Sequence, residues 1–103
     1  MATILYIDTS EIYTAKVALE IDGVRHEKVS DSKVMKSQMV LPMIEELLRL
    51  QKLQLSDITE ISVATGPGSF TGLRVGATVA NTLGYLLDIP VNGKKALVIP
   101  TYS

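Results

Sequence analysis

The residues best placed to do chemistry lie in two short segments. Asp8-Thr9-Ser10 follows an apolar run, and Gly66-Pro67-Gly68-Ser69-Phe70-Thr71-Gly72-Leu73-Arg74-Val75-Gly76 follows another. A carboxylate with two hydroxyls at a strand end can hold magnesium and touch phosphate. A glycine turn opening a helix can cradle phosphate on its free amides. Together, Asp8, Thr9, Ser10, Gly66 and Gly68 form a candidate phosphate site. Neither standard phosphate motif is present, however. A P-loop needs two glycines five apart followed by Lys and Ser or Thr. Five residues after Gly66 stands Thr71, five after Gly68 stands Leu73, and no lysine follows Gly72. A dinucleotide fingerprint needs glycines at offsets zero, two and five, whereas Gly66, Gly68 and Gly72 stand at zero, two and six. Any such site is therefore vestigial in form, with Arg74 the one cation beside it.

Other chemistries find less support. The chain has no cysteine, which removes disulfides, cysteine-based zinc sites and thiol catalysis. His26 is the only histidine and sits between Arg25 and Glu27. No cluster supplies it with metal co-ligands, and nothing along the chain brings Ser69 to it as a nucleophile. No metal site, cofactor or catalytic residue is assigned.

The elements that must position these residues follow from periodicity. Ile4 to Ile7 reads as a buried strand ending in the polar turn Asp8-Thr9-Ser10. Ala15, Val17, Leu19 and Ile21 alternate with Lys16, Ala18 and Glu20, a half-buried second strand. Asp22-Gly23 is a tight-hairpin pair, and Val24 to Val29 is the return strand. Ser30-Asp31-Ser32 offers N-cap residues for a helix over about 33–52. In it Met39, Met43, Leu47 and Leu50 form one stripe and Val40, Ile44 and Leu48 a second. Pro42 inside this stretch predicts either a kink or a main helix beginning near Leu41. Ser56-Asp57 breaks the pattern before a strand over Ile58–Ala64. A second helix is predicted over Thr71–Leu87, capped by Ser69 or Thr71. A further strand starts at Val91 and extends to Ala96–Ile99. The order βββαβα(β) predicts one α/β domain over 1–103 with a mixed sheet.

Within the second helix Gly72, Gly76, Ala80 and Gly84 recur every four residues and share one flat face. Each glycine inside a helix costs roughly 1 kcal/mol relative to alanine. Close approach of another helix, or of the sheet, would offset that cost. The paired stripes of the first helix form a face too broad for the sheet alone, and an exposed remainder would mark an interface. The chain has 103 residues, is 47 % hydrophobic and carries a net charge of −1. A domain this small has a thin core that a partner can complete. Its charge provides no basic field for nucleic acid. No basic leader precedes Ile4-Leu5, and no apolar run reaches the roughly 20 residues of a membrane span. The expected location is the cytoplasm.

Three segments in order, Ile4–Ser10, Ser37-Gln38-Met39-Val40-Leu41-Pro42-Met43-Ile44 and Gly66–Gly76, resemble the TsaB (YeaZ) family. The resemblance covers nearly the whole chain but about half of a usual member, with the C-terminal half-domain absent. It implies an actin-like, ribonuclease-H-like half-domain. It further implies an accessory subunit, not an enzyme, in the synthesis of threonylcarbamoyladenosine next to the tRNA anticodon. A catalytic paralogue, TsaD, would bind the metal and perform the transfer. The subunit would pair with it through the first two helices, an ATPase subunit, TsaE, would join them, and tRNA would be met only indirectly. Two copies of the chain would pair through the same face when alone. Carried to this sequence, the implied interface is Met39, Met43, Leu47, Gly72, Gly76 and Ala80. Lys36 departs from the histidine frequent in the family, and Asn92-Gly93-Lys94-Lys95 departs from its usual continuation. The competing expectation is a nucleotide-binding or hydrolytic actin-like enzyme using Asp8 and the Gly66–Gly72 turn.

Overall fold

The computed structural model describes residues 2–30, 36–95 and 97–99. Three strands come first: β1 (Thr3–Asp8), β2 (Ala15–Ile21) and β3 (Val24–Ser30). Helix α1 (Lys36–Leu50), strand β4 (Glu60–Val63) and helix α2 (Phe70–Leu87) follow. The strand order is β3-β2-β1-β4, with β1 antiparallel to β2 and parallel to β4. This is the mixed sheet that the sequence predicts. Asp22 and Gly23 both take positive φ, 49° and 86°, which closes the β2–β3 hairpin in the primed-turn geometry.

Side-chain alternation sorts the sheet into two faces. Leu5 stands between Leu19 and Ile61, and Ile7 between Val17 and Val63. All six are buried, in one cluster with Val40, Met43, Ile44, Leu47 and Leu48 of α1 and Ala80 and Leu83 of α2. Both helices therefore cover the same face. Burying each large aliphatic side chain of this cluster contributes roughly 1.5–3 kcal/mol. An ion pair from Lys28 to Glu46 at 3.2 Å ties β3 to α1. The opposite face carries Tyr6, Lys16, Glu20, Arg25 and Glu27. There the Arg25 guanidinium lies 4.5 Å from the Tyr6 ring centre, and Lys16 pairs with Glu27 at 3.3 Å.

Helix α1 begins before Leu41 and continues through Pro42. Pro42 is exposed, and water can reach the carbonyl that its missing N–H leaves unserved. Of the proposed cap residues, Asp31 and Ser32 lie outside the described residues, as do 33–35 at the expected helix start. Strand β4 is shorter than Ile58–Ala64, although the residues flanking it on both sides bond to β1. The Thr59 N–H and hydroxyl both donate to the Thr3 carbonyl, at 2.8 and 3.0 Å, and Ala64 N–H donates to Ile7 at 3.0 Å.

The further strand is corrected by the structure. Val91 makes only a one-residue parallel bridge to Ile61. Asn92 and Gly93, at φ 51° and 80°, then turn the chain back so that Val91 pairs with Lys94. The Asn92 side chain supplies the next rung: Val63 N–H donates to its Oδ1 at 2.8 Å, and its Nδ2 donates to the Val63 carbonyl at 3.0 Å. Leu97–Ile99 is not a strand (Ala96 is outside the described residues). Its middle residue, Val98, exchanges two hydrogen bonds with the Asn81 amide at 2.9 and 3.0 Å. Asn92→Gly, which deletes the amide but tolerates positive φ, is expected to cost about 1–2 kcal/mol through the two lost bonds. Asn92→Ala is expected to cost about 1 kcal/mol more, because alanine resists this backbone angle. Urea midpoints of the two variants would show the separation.

Candidate functional site

The two segments singled out by their chemistry meet at the ends of β1 and β4. Asp8 Oδ1 accepts from the Ser10 N–H at 3.0 Å and from the Ser10 hydroxyl at 2.6 Å, a local turn closed by its own carboxylate. The Ser10 carbonyl accepts the Ser69 N–H at 2.7 Å. Ser69 caps α2, its Oγ accepting from Gly72 N–H at 3.2 Å. Gly66 has φ 125° and a cis bond to Pro67. The glycine turn is thus stitched to the Asp8–Ser10 segment.

Close approach explains Gly68. A Cβ there would lie 2.7 Å from both Ser10 Cβ and the Ser10 carbonyl oxygen. Asp8 also borders a cleft of about 270 Å³ on the outer face of the sheet, with Lys16 and Arg25 on its wall. Both cations have partners within the chain, Glu27 and the Tyr6 ring respectively. Desolvation, and then the nearby Glu20 carboxylate, hold the Tyr6 phenol above its usual pKa. Among the described residues no group of three acidic or histidine side chains could hold a metal ion. Thr9, Ser10 and Gly68 fasten the end of the strand to the start of the helix.

His26 faces Leu19 on β3, the strand farthest from β4. Two strand spacings of about 4.8 Å each separate β3 from β1 alone. Ser69 is engaged as a cap at the other end of this order. The two are not brought together.

The small-residue face is where the sequence reading and the structure part. Gly72, Gly76, Ala80 and Gly84 are all buried, Gly76 against β1 and β4 and Gly84 against Val91 and Ile89. The buried Thr9 hydroxyl donates to the Gly72 carbonyl. A Cβ on Gly76 would lie 2.5 Å from Thr9 Oγ1 and 3.4–3.5 Å from methyl groups of Val63 and Ile7. Ala80 is 0 % exposed, and a Cβ on Gly84 would meet Val91 at 2.5 Å. On α1, Met43 and Leu47 are 5 % and 4 % exposed, and Met39 packs half-buried against the same core. The expected interface set is therefore taken up almost entirely by internal packing. The glycines let α2 settle onto the sheet, the second of the two compensations their cost allows. Leucine at Gly76 or Ala80 would test the core, not an interface.

The outer side of α2 shows what the periodicity reading missed. Phe70 is 54 % exposed. Together with Thr71, Arg74, Val75, Thr78 and Val79 it lines an open groove of about 360 Å³. Arg74 is the only charged residue in the 18 of this helix. A surface helix ordinarily carries charge on its outer face, and one that lacks it all round is usually covered on both sides. The signal was present in the sequence as a charge count, independent of the four-residue repeat. The neighbouring α1 exposes Leu41 and Pro42.

Comparison with known proteins agrees with this geometry. Residues 11–97 match the family model described as TsaD, tRNA N6-adenosine threonylcarbamoyltransferase. The chain is 42 % identical over 96 residues to the tRNA threonylcarbamoyladenosine biosynthesis protein TsaB of Bacillus subtilis, covering 92 % of this chain and 42 % of the relative. It is 34 % identical over 95 residues to the TsaB of Escherichia coli, covering 92 % and 41 %. The solved structure of YeaZ from Pseudomonas aeruginosa superposes with a TM-score of 0.83 at 34 % identity, covering 88 % of this chain and 42 % of that one. The chain thus spans about two-fifths of the length of these relatives, and its sheet and two helices form an actin-like half-domain. From three sequence segments in order, the shared architecture and this similarity, the chain belongs to the TsaB (YeaZ) family, within the group that the TsaD transferase model describes.

Proposed function

We propose that the chain is a non-catalytic pairing subunit that binds a TsaD-like catalytic paralogue and so supports threonylcarbamoyl transfer to the adenosine next to the tRNA anticodon. The observation that carries this reading is the outer face of α2: a groove flanked by Phe70, Val75, Thr78 and Val79 with almost no charge. Such a face favours cover by another protein. The engagement of Asp8, Ser10 and Ser69 with one another supports a scaffold over a nucleotide enzyme. A TsaE-like ATPase would join through the paralogue, tRNA would be met through the complex, and two copies would pair by the same face in the paralogue's absence. The interface lies on the outer flank of the two helices, in place of Met43, Leu47, Gly72, Gly76 and Ala80.

Thr78→Glu tests it. Thr78 is exposed, so the change leaves the core alone while placing a carboxylate in the groove. Affinity for the purified paralogue is expected to fall by about 100-fold, because cover must then desolvate both the new carboxylate and the Arg74 guanidinium four residues away, with which it pairs, with an unchanged circular dichroism melt. Equal affinity would overturn the assignment of this face. Saturable calorimetric binding of Mg-ATP, lost in Asp8→Ala, would instead favour the nucleotide enzyme.

A further inference from the structure

The charge that interrupts the outer face of α2 has its own consequence, and it rests on the interface reading above. Arg74 is exposed, and its guanidinium carbon lies 5.5 Å from the Phe70 ring centre. Lys16, Lys28 and Lys95 each pair with a carboxylate in the chain. Arg74 has no such ion pair among the described residues. Its helical neighbours at three and four residues' distance are Phe70, Thr71, Ala77 and Thr78, none of them acidic.

Covering this groove strips water from the guanidinium, and an unpaired cation in a desolvated apolar contact opposes association strongly. A partner that seats here must therefore bring an acceptor. The planar fork of an arginine matches a carboxylate through two parallel hydrogen bonds. We propose that Arg74 is the specificity-determining contact of this face, and that the partner element is a helix of the catalytic paralogue. That helix sets an apolar side chain between Phe70, Val75 and Val79 and carries an aspartate or glutamate that pairs with Arg74.

The experiment measures binding of the full chain to the purified paralogue at low and high salt, for wild type, Arg74→Lys, Arg74→Glu and Thr78→Glu. A glutamate in the first two turns of α2 suits the helix dipole, so Arg74→Glu is expected to keep the fold. The expected result is a loss of at least 30-fold for Arg74→Glu and a smaller loss for Arg74→Lys. Wild-type affinity should fall with salt more steeply than that of Arg74→Glu. A carboxylate-to-lysine change on the paralogue's docking helix should restore binding to Arg74→Glu.

If Thr78→Glu disrupts binding while Arg74→Glu binds like wild type at both salts, the role of Arg74 is wrong and the interface stands. If neither change matters, or wild type does not bind, the interface reading itself fails. If instead Arg74→Glu abolishes self-association of the chain while its affinity for the paralogue stays that of wild type, the carboxylate belongs to a second copy, and the assignment to the paralogue is overturned.

Discussion

Replacing Gly76 by alanine is expected to lower the unfolding free energy by about 2–3 kcal/mol, although alanine is the better helix former. Helix propensity alone favours the change by roughly 1 kcal/mol. Against that, the new Cβ would lie 2.5 Å from Thr9 Oγ1, with Val63 and Ile7 methyl groups close behind. The hydroxyl must move, and it is the donor to the Gly72 carbonyl across 63 residues of chain. Overpacking of a tight contact costs about 1–3 kcal/mol, and the disturbed buried hydrogen bond costs a similar amount. For a domain of this size the net loss corresponds to a fall in Tm of roughly 10 °C or more. Thermal unfolding followed by circular dichroism measures it, with exposed Thr78→Ala as the control. A double-mutant cycle with Thr9→Ala locates the cause. If the clash with the hydroxyl is responsible, the double variant costs less than the sum of the singles. A melt for Gly76→Ala equal to wild type would remove the claim that the glycine repeat is a seam with the sheet.

Gly68→Ala is expected to cost about as much, for a different reason. Its Cβ would meet Ser10 Cβ and the Ser10 carbonyl oxygen at 2.7 Å, and Ser10 Cα at 3.1 Å. No flexible side-chain end is available to move. The main chain of one segment must separate from the other, which breaks the Ser69 N–H to Ser10 carbonyl bond of 2.7 Å. That bond anchors the first residue of the α2 cap. A loss of about 2–4 kcal/mol is expected. Hydrogen exchange should show reduced protection over the first turns of α2 before the rest of the helix. Uniform loss along α2 would argue that the turn is not what fastens it.

Much of the fold is legible along the chain. The alternation of Ala15, Val17 and Leu19, the pair Asp22-Gly23 and the cap Ser69 each act through neighbours in sequence, so local pattern suffices. The ends of β4 and the missing fifth strand are not legible this way. Asn92 reads as a turn residue, and it is one. That its side chain also serves as a rung for Val63, 29 residues earlier, depends on where β4 comes to lie. The candidate phosphate site illustrates the same limit. Asp8, Ser10 and Gly68 are the right residue types for a phosphate corner, and that their contacts also fasten strand to helix comes only from the fold.

The sequence by itself determined which residues share a face, because 3.6 residues per turn and two per pleat are properties of the local backbone. It determined the mixed α/β order, the family, and the demand of Gly72, Gly76, Ala80 and Gly84 for a close neighbour. Only the tertiary structure decided what that neighbour is. A small-residue face suits a foreign helix or the chain's own sheet equally well, since both reward the absence of side chains. The choice fell to Thr9, Val63 and Ile7, which β1 and β4 place under the helix. With the seam turned inward, the open groove lies on the opposite side of α2, where Phe70, Val75 and Val79 surround the single charge of Arg74.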